Sequence, residues 1–142
     1  MIRKYQPEDT DDLVSIWQMA SALAHPFLTE GFQAQEAENL RHLYLPNAET
    51  WVSVDTEKPT GFIAVVGTEI GGLFVSPQHQ KQGWGKALVD FAIDLKGPLS
   101  VEVFEKNAIG RRFYAQYGFI EAGRQRHEGS GEMTLLLRLP LA

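Results

Sequence analysis

The residues with the plainest chemical promise lie together in Gln80-Lys81-Gln82-Gly83-Trp84-Gly85-Lys86, where glycines flank a tryptophan, lysines stand on either side and an apolar helical run follows. Such a stretch can hold an anion. Gly83 and Gly85 let the backbone approach without a Cβ in the way, and a helix beginning there adds its positive N-terminal end. Lys81 and Lys86 can supplement that charge. Three phosphate-binding patterns compete for the run. The P-loop pattern wants a glycine where Gln80 stands and a hydroxyl where Ala87 stands, so it fails twice. The dinucleotide-fold pattern wants a glycine at Leu88 and a shorter gap between Val75 and Gly83, although Glu102 can imitate the acid that holds a ribose. The third pattern is a strand, a loop of several residues and a helix whose free amides face a pyrophosphate. A plain glycine-capped loop with solvated lysines is the bland alternative.

The elements that must position this loop follow from periodicity. Leu13, Ile16, Trp17, Ala20 and Leu23 recur at helical spacing after Asp9 or Thr10 as a cap, and Pro26 ends that helix. A second helix is expected over residues 33–44, with Ala37, Leu40, Leu43 and Tyr44 buried. The period then changes to two, predicting an antiparallel meander over residues 51–54, 60–66 and 69–75. Beyond the glycine loop comes a helix with Leu88, Phe91, Ala92 and Leu95 inside, a strand over 99–104, a helix over 108–117 closed by Gly118, and a hairpin over 120–128 and 132–139. With a short first strand at Ile2, the fold class is α/β (α+β): a mixed, mostly antiparallel sheet of six to seven strands with about four helices on both faces.

Composition narrows the function. A chain of 142 residues, 44% hydrophobic and 22% charged, is expected to form a single domain over 1–142. Its 18 acidic against 13 basic residues lack the positive field of a phosphate-backbone binder, so nucleic acid is not an expected partner. The absence of cysteine removes thiolate nucleophiles and disulfides, and with only four histidines no metal site is expected. No apolar run approaches the roughly 20 residues that span a membrane, and the Met1 start has no signal-type leader, so no membrane partner and a cytoplasmic location are expected.

Gln80-x-x-Gly83-x-Gly85 resembles the acyl-coenzyme A loop of the GNAT superfamily of N-acetyltransferases, with Gln80 where arginine is commoner. The approach through Leu73, Phe74, Val75, Ser76 and Pro77 is similar to the family's fourth strand and its exit. Asn107-Ala108-Ile109-Gly110-Arg111-Arg112-Phe113-Tyr114 with Gly118-Phe119 is similar to its second motif. The resemblance implies a GNAT fold and acetyl transfer from acetyl-coenzyme A directly to a primary amine, on a protein lysine or a small molecule, by a monomer or homodimer. It implies a cofactor site of Phe74, Val75, Gln80, Lys81, Gln82, Gly83, Trp84, Gly85, Lys86 and Asn107. By the same resemblance, the backbone edge at Phe74 and Val75 pairs with the pantetheine arm, Asn107 meets the pantetheine amides, and Tyr114 protonates the leaving thiolate.

Gly71-Gly72 suits a bulge that opens the strand. Glu69, His25, His127 or a water can take the amine proton, and Phe27, Trp51 and Tyr117 can form an acceptor wall, whereas His79 is expected at the surface. Two other functions stay open: a non-catalytic acyl-coenzyme A sensor on the same fold, and a nicotinamide nucleotide binder.

Overall fold

Alternation along the central strands divides the apolar residues between two faces, and helices cover both. The computed structural model describes residues 1–140. Its strands are β1 (Ile2–Lys4), β2 (Glu49–Asp55), β3 (Lys58–Val66), β4 (Glu69–Val75), β5 (Ser100–Phe104), β6 (Ile120–Arg126) and β7 (Met133–Arg138). They make one sheet in the order β1-β2-β3-β4-β5-β7-β6, antiparallel except where β4 meets β5. The helices are α1 (Thr10–Ala24), α2 (Glu30–Asn39), α3 (Trp84–Lys96) and α4 (Ala108–Tyr117). On β3, Phe62 points into a core made with Leu13, Val14 and Ile16 of α1. Its neighbours Ile63 and Val65 join Leu88, Val89 and Ala92 of α3 and Tyr114 of α4 on the other side.

The feature that makes a site is a parting of strands. β4 and β5 pair only at Glu69 with Ser100 and Ile70 with Val101, and then diverge. At that point the register of β3 with β4 slips between Ala64 and Val65, so that Gly71 is the extra residue of a bulge. The opening expected at Gly71-Gly72 is therefore real, and residues 72–75 keep a backbone edge that β5 does not cover.

Three expectations need correction. The second helix starts earlier, at Glu30 behind Thr29, whose hydroxyl accepts from the amide of Phe32 at 3.1 Å, and its α-helical part stops at Asn39. Leu40–Tyr44 continues as a π-helix. That wider turn accommodates an additional residue and shifts the helical phase by about 100°, so Leu43 faces solvent at 53% exposure instead of joining the core, and Tyr44, also expected inside, is 43% exposed. Leu23 and Leu95, near the ends of α1 and α3, are also exposed, at 54% and 52%, because the core face runs out before the helix does. Asp9 stands at the N-cap position of α1 without capping it. Its carboxylate instead accepts from two Arg3 guanidinium nitrogens and from the Gln6 amide, all at 2.8 Å, and Arg3 above all holds its pKa below the usual carboxylate range.

Candidate active site

Between the parted strands lies a cavity of about 780 Å³. Residues 71–75 of β4 form one wall, residues 101–104 of β5 and the start of α4 form the facing one, and the first turn of α3 closes one end. Trp17 and Ala20 of α1, with Glu36 of α2, close the other. Phe74, Val75, Gln80, Lys81, Gly83, Gly85, Lys86, Asn107 and Tyr114 all line this space, so most of the residues singled out from the sequence are brought together. Gln82 and Trp84 are not: Gln82 is exposed and donates back to the Gln78 carbonyl at 3.3 Å, and Trp84 opens α3 outside the wall.

The two loop glycines serve different ends. Gly83 is the N-cap of α3 with φ +91°, a left-handed conformation, and a Cβ there would meet open space. A Cβ on Gly85 would lie 3.1 Å from Cε1 of Phe113, so this glycine lets α3 pack closely on α4. Gln80 donates from Nε2 to the Val75 carbonyl at 3.1 Å, tying the loop to the strand end. Lys86 is paired with Asp90 at 2.8 Å, while Lys81, at φ +64°, makes no ion pair among the described residues. Arg112 of α4, not singled out from the sequence, adds a third cation to the cavity wall.

Tyr114 is 6% exposed and its hydroxyl has no hydrogen-bond partner among the described residues. Burial pushes its pKa well above the ordinary phenol value, which keeps it protonated. Asn107 caps α4, its Oδ1 accepting from the Gly110 amide at 2.8 Å, and its Nδ2 lies 3.2 Å from Nε2 of His25. A donating Asn107 amide requires the proton of His25 on Nδ1. Burial lowers the His25 pKa to about 4, so the ring is neutral at pH 7 and its Nε2 is committed to Asn107.

His127 lines the same cavity and accepts the Ser130 amide on Nδ1 at 3.2 Å. Its ring meets those of Phe32 and Phe104 edge to face, at 5.9 and 5.4 Å. Glu69 sits at the exposed start of β4, beyond the cavity wall. Of the aromatic candidates, Phe27 packs behind the wall against His25 and Phe104. Trp51 packs on Phe91 at 4.7 Å as a core residue, and Tyr117 bonds Asp90, so neither reaches the cavity. His79 is half-buried rather than exposed. The acidic groups that do reach it are Glu36 and Glu102, the latter accepting from Thr134 Oγ1 at 2.5 Å and Gln125 Nε2 at 2.8 Å. Periodicity could not single out Glu36, whereas Glu102 drew notice only as a ribose-type acid.

Residues 46–121 match the family model of the acetyltransferase (GNAT) domain. Across the whole chain, the peptidyl-lysine N-acetyltransferase YjaB of Salmonella typhimurium is 35% identical over 139 residues, which cover 97% of this chain and 95% of the relative. This chain belongs to the GNAT acetyltransferase family. The solution structure of apo YjaB from Escherichia coli superposes with a TM-score of 0.90 at 30% identity, covering 100% of this chain and 98% of the other. The fold also matches that of the paiA N-acetyltransferase from Thermoplasma acidophilum in complex with coenzyme A, with a TM-score of 0.80 at 16% identity over 99% and 98% of the two chains.

As a GNAT protein the chain is an N-acetyltransferase that takes its acetyl group from acetyl-coenzyme A. The residues present fit that co-substrate. An uncovered strand edge at residues 72–75 can pair with an extended amide-bearing arm, and the left-handed cap at Gly83 leaves the first amides of α3 free for phosphate.

Proposed function

We propose that this GNAT enzyme acetylates the ε-amine of lysine side chains in proteins or peptides. The observation that carries the reading is the polarity of one continuous cavity. The cations Lys81 just before α3, Lys86 in its first turn and Arg112 of α4 line it, the carboxylates of Glu36 on α2 and Glu102 on β5 line it as well, and the Tyr114 phenol lines the same space. The naming of its relatives as peptidyl-lysine N-acetyltransferases supports the same acceptor.

The chemistry follows from these groups. The backbone of Phe74 and Val75 and the amide of Asn107 hold the pantetheine arm, and the Gly83-to-Lys86 turn with Lys81 and Arg112 holds the pyrophosphate. Glu102 accepts the proton of the incoming ammonium, because its carboxylate is fixed by Thr134 and Gln125 and faces the cavity. The neutral nitrogen then attacks the thioester carbonyl carbon, and the carbon–sulfur bond breaks with its electron pair leaving on sulfur as a thiolate. The nitrogen releases its second proton to solvent as the amide forms. Tyr114 donates its O–H to the departing sulfur. With its pKa raised by burial, the phenol stabilises the thiolate by a hydrogen bond more readily than by surrendering its proton. No covalent acetyl-enzyme is invoked, in keeping with a chain that has no cysteine. The enzyme works as a single 1–142 unit in the cytoplasm, as a monomer or homodimer.

Mass spectrometry of lysine-containing peptides incubated with acetyl-coenzyme A tests the reading. The wild type should place one acetyl group on the lysine Nε, and Tyr114→Phe should lower kcat on the order of 100-fold with the acetyl-coenzyme A Kd within about twofold. A Tyr114→Phe enzyme of unaltered kcat would remove the tyrosine from the mechanism, and a wild type that binds coenzyme A without turnover on any amine would favour the sensor.

A further inference from the structure

We infer that the π-helical turn after α2 builds the acceptor-selective wall, by bringing Tyr44 onto the face that carries Glu36 so that the pair receives a primary ammonium on an aliphatic stem. The inference rests on the lysine reading above and names the residues that would select that acceptor.

The argument begins with helical phase. Along an uninterrupted α-helix at about 100° per residue, positions 36 and 44 would diverge by about 80°. An inserted residue removes about 100° of that rotation and leaves the two within about 20° of each other. The observed lining agrees: Glu36, Leu40 and Tyr44 all line the cavity, Tyr44 with 43% of its surface still exposed, whereas Leu43, 53% exposed, does not line it. Proximity also shows in the Tyr44 phenol, whose pKa is raised by burial and then by the charge of Glu36.

Glu36 has no evident structural duty. None of the residues of α2 is buried, so this helix is not anchored by a core of its own. Glu36 is half-buried, its carboxylate accepts from the Asn39 amide at 3.4 Å, and it has no cationic partner among the described residues. An uncompensated carboxylate beside a phenol is suited to an ammonium, which gains a charge-assisted hydrogen bond from one and a ring face from the other. Trp17, Ala20 and Leu40 supply apolar surface in the same cavity for the methylene stem. A regular helix would present Leu43 where Tyr44 stands, and the acceptor wall would lose its phenol.

The test compares wild type, Glu36→Gln and Tyr44→Phe on a lysine peptide and on the same peptide with an aminooxy group in place of the ε-amine, which is neutral at pH 7. Glu36→Gln should raise KM for the lysine peptide about tenfold, with kcat and the acetyl-coenzyme A Kd within about twofold and the aminooxy KM unchanged. Tyr44→Phe should act in the same direction by a smaller factor. Equal KM values for wild type and Glu36→Gln on the lysine peptide would overturn the inference, as would a parallel rise on the neutral peptide. NMR titration of the coenzyme A-bound proteins with pentylamine tests the wall without turnover: about tenfold weaker binding by Glu36→Gln supports it, and equal binding refutes it. Failure of the lysine reading is distinct, appearing as wild-type protein that leaves lysine peptides unacetylated.

Discussion

At Asn107 one amide group serves two neighbours: its oxygen closes the first turn of α4 on Gly110 and its nitrogen meets His25. Gly110 is there for the same reason, since a Cβ would fall 2.5 Å from Asn107 Nδ2. His25 is thereby a support for Asn107, and its neutrality has a measurable consequence. Folding lowers its pKa from about 6.5 in the unfolded chain to about 4. Between those values the unfolded chain binds the additional proton, so the histidine's contribution is fully present above about pH 6.5 and declines as pH falls toward 4. His25→Gln retains an acceptor for Asn107 and cannot titrate. Urea unfolding across that window should show a steeper loss of stability in the wild type than in the variant, and parallel curves would contradict a buried neutral His25. The sequence could mark Asn107 and Tyr114 as residues of interest, because motif spacing carries them, and His25 as an imidazole able to take a proton. It could not say that His25 faces Asn107, because the two are 82 residues apart and meet only through the fold.

At the scale of elements, the decisive contacts are where backbones approach. Gly61 of β3 stands opposite Val75, and a Cβ there would lie 2.7 Å from the Phe74 carbonyl oxygen. Gly61→Ala should therefore displace the strand end that carries Phe74 and Val75, costing about 1–3 kcal/mol of stability and raising KM for acetyl-coenzyme A several-fold. Denaturant unfolding and steady-state kinetics check both, and a variant with wild-type stability and KM would show that the strand end yields freely. The bulge at Gly71 and the helix starting after Gly83 were legible in the sequence, since glycine pairs and a turn-to-helix change in period are local signals. The π turn was not. Leu40, Leu43 and Tyr44 satisfy the ordinary helical spacing, and nothing in a count of apolar positions reveals an inserted residue. The same limit hid Glu36, a polar residue whose importance depends on a phase that the sequence does not print.

For the molecule as a whole, function comes from the departure of the sheet from regularity. Seven strands in one sheet would cover every internal edge, but β4 and β5 separate after two residue pairs and leave a passage from one face to the other. Residues of α3 and α4 line this passage together with residues of α1 and α2. No helix among the described residues is long and apolar enough to cross a membrane. The central claim is that this passage holds acetyl-coenzyme A along the uncovered edge of β4, and amide hydrogen exchange with and without acetyl-coenzyme A tests it most directly, with NADH as control. Acetyl-coenzyme A should slow exchange in residues 72–75 and 81–87 while NADH leaves them unchanged; protection confined to other segments, or equal protection by NADH, would contradict the account.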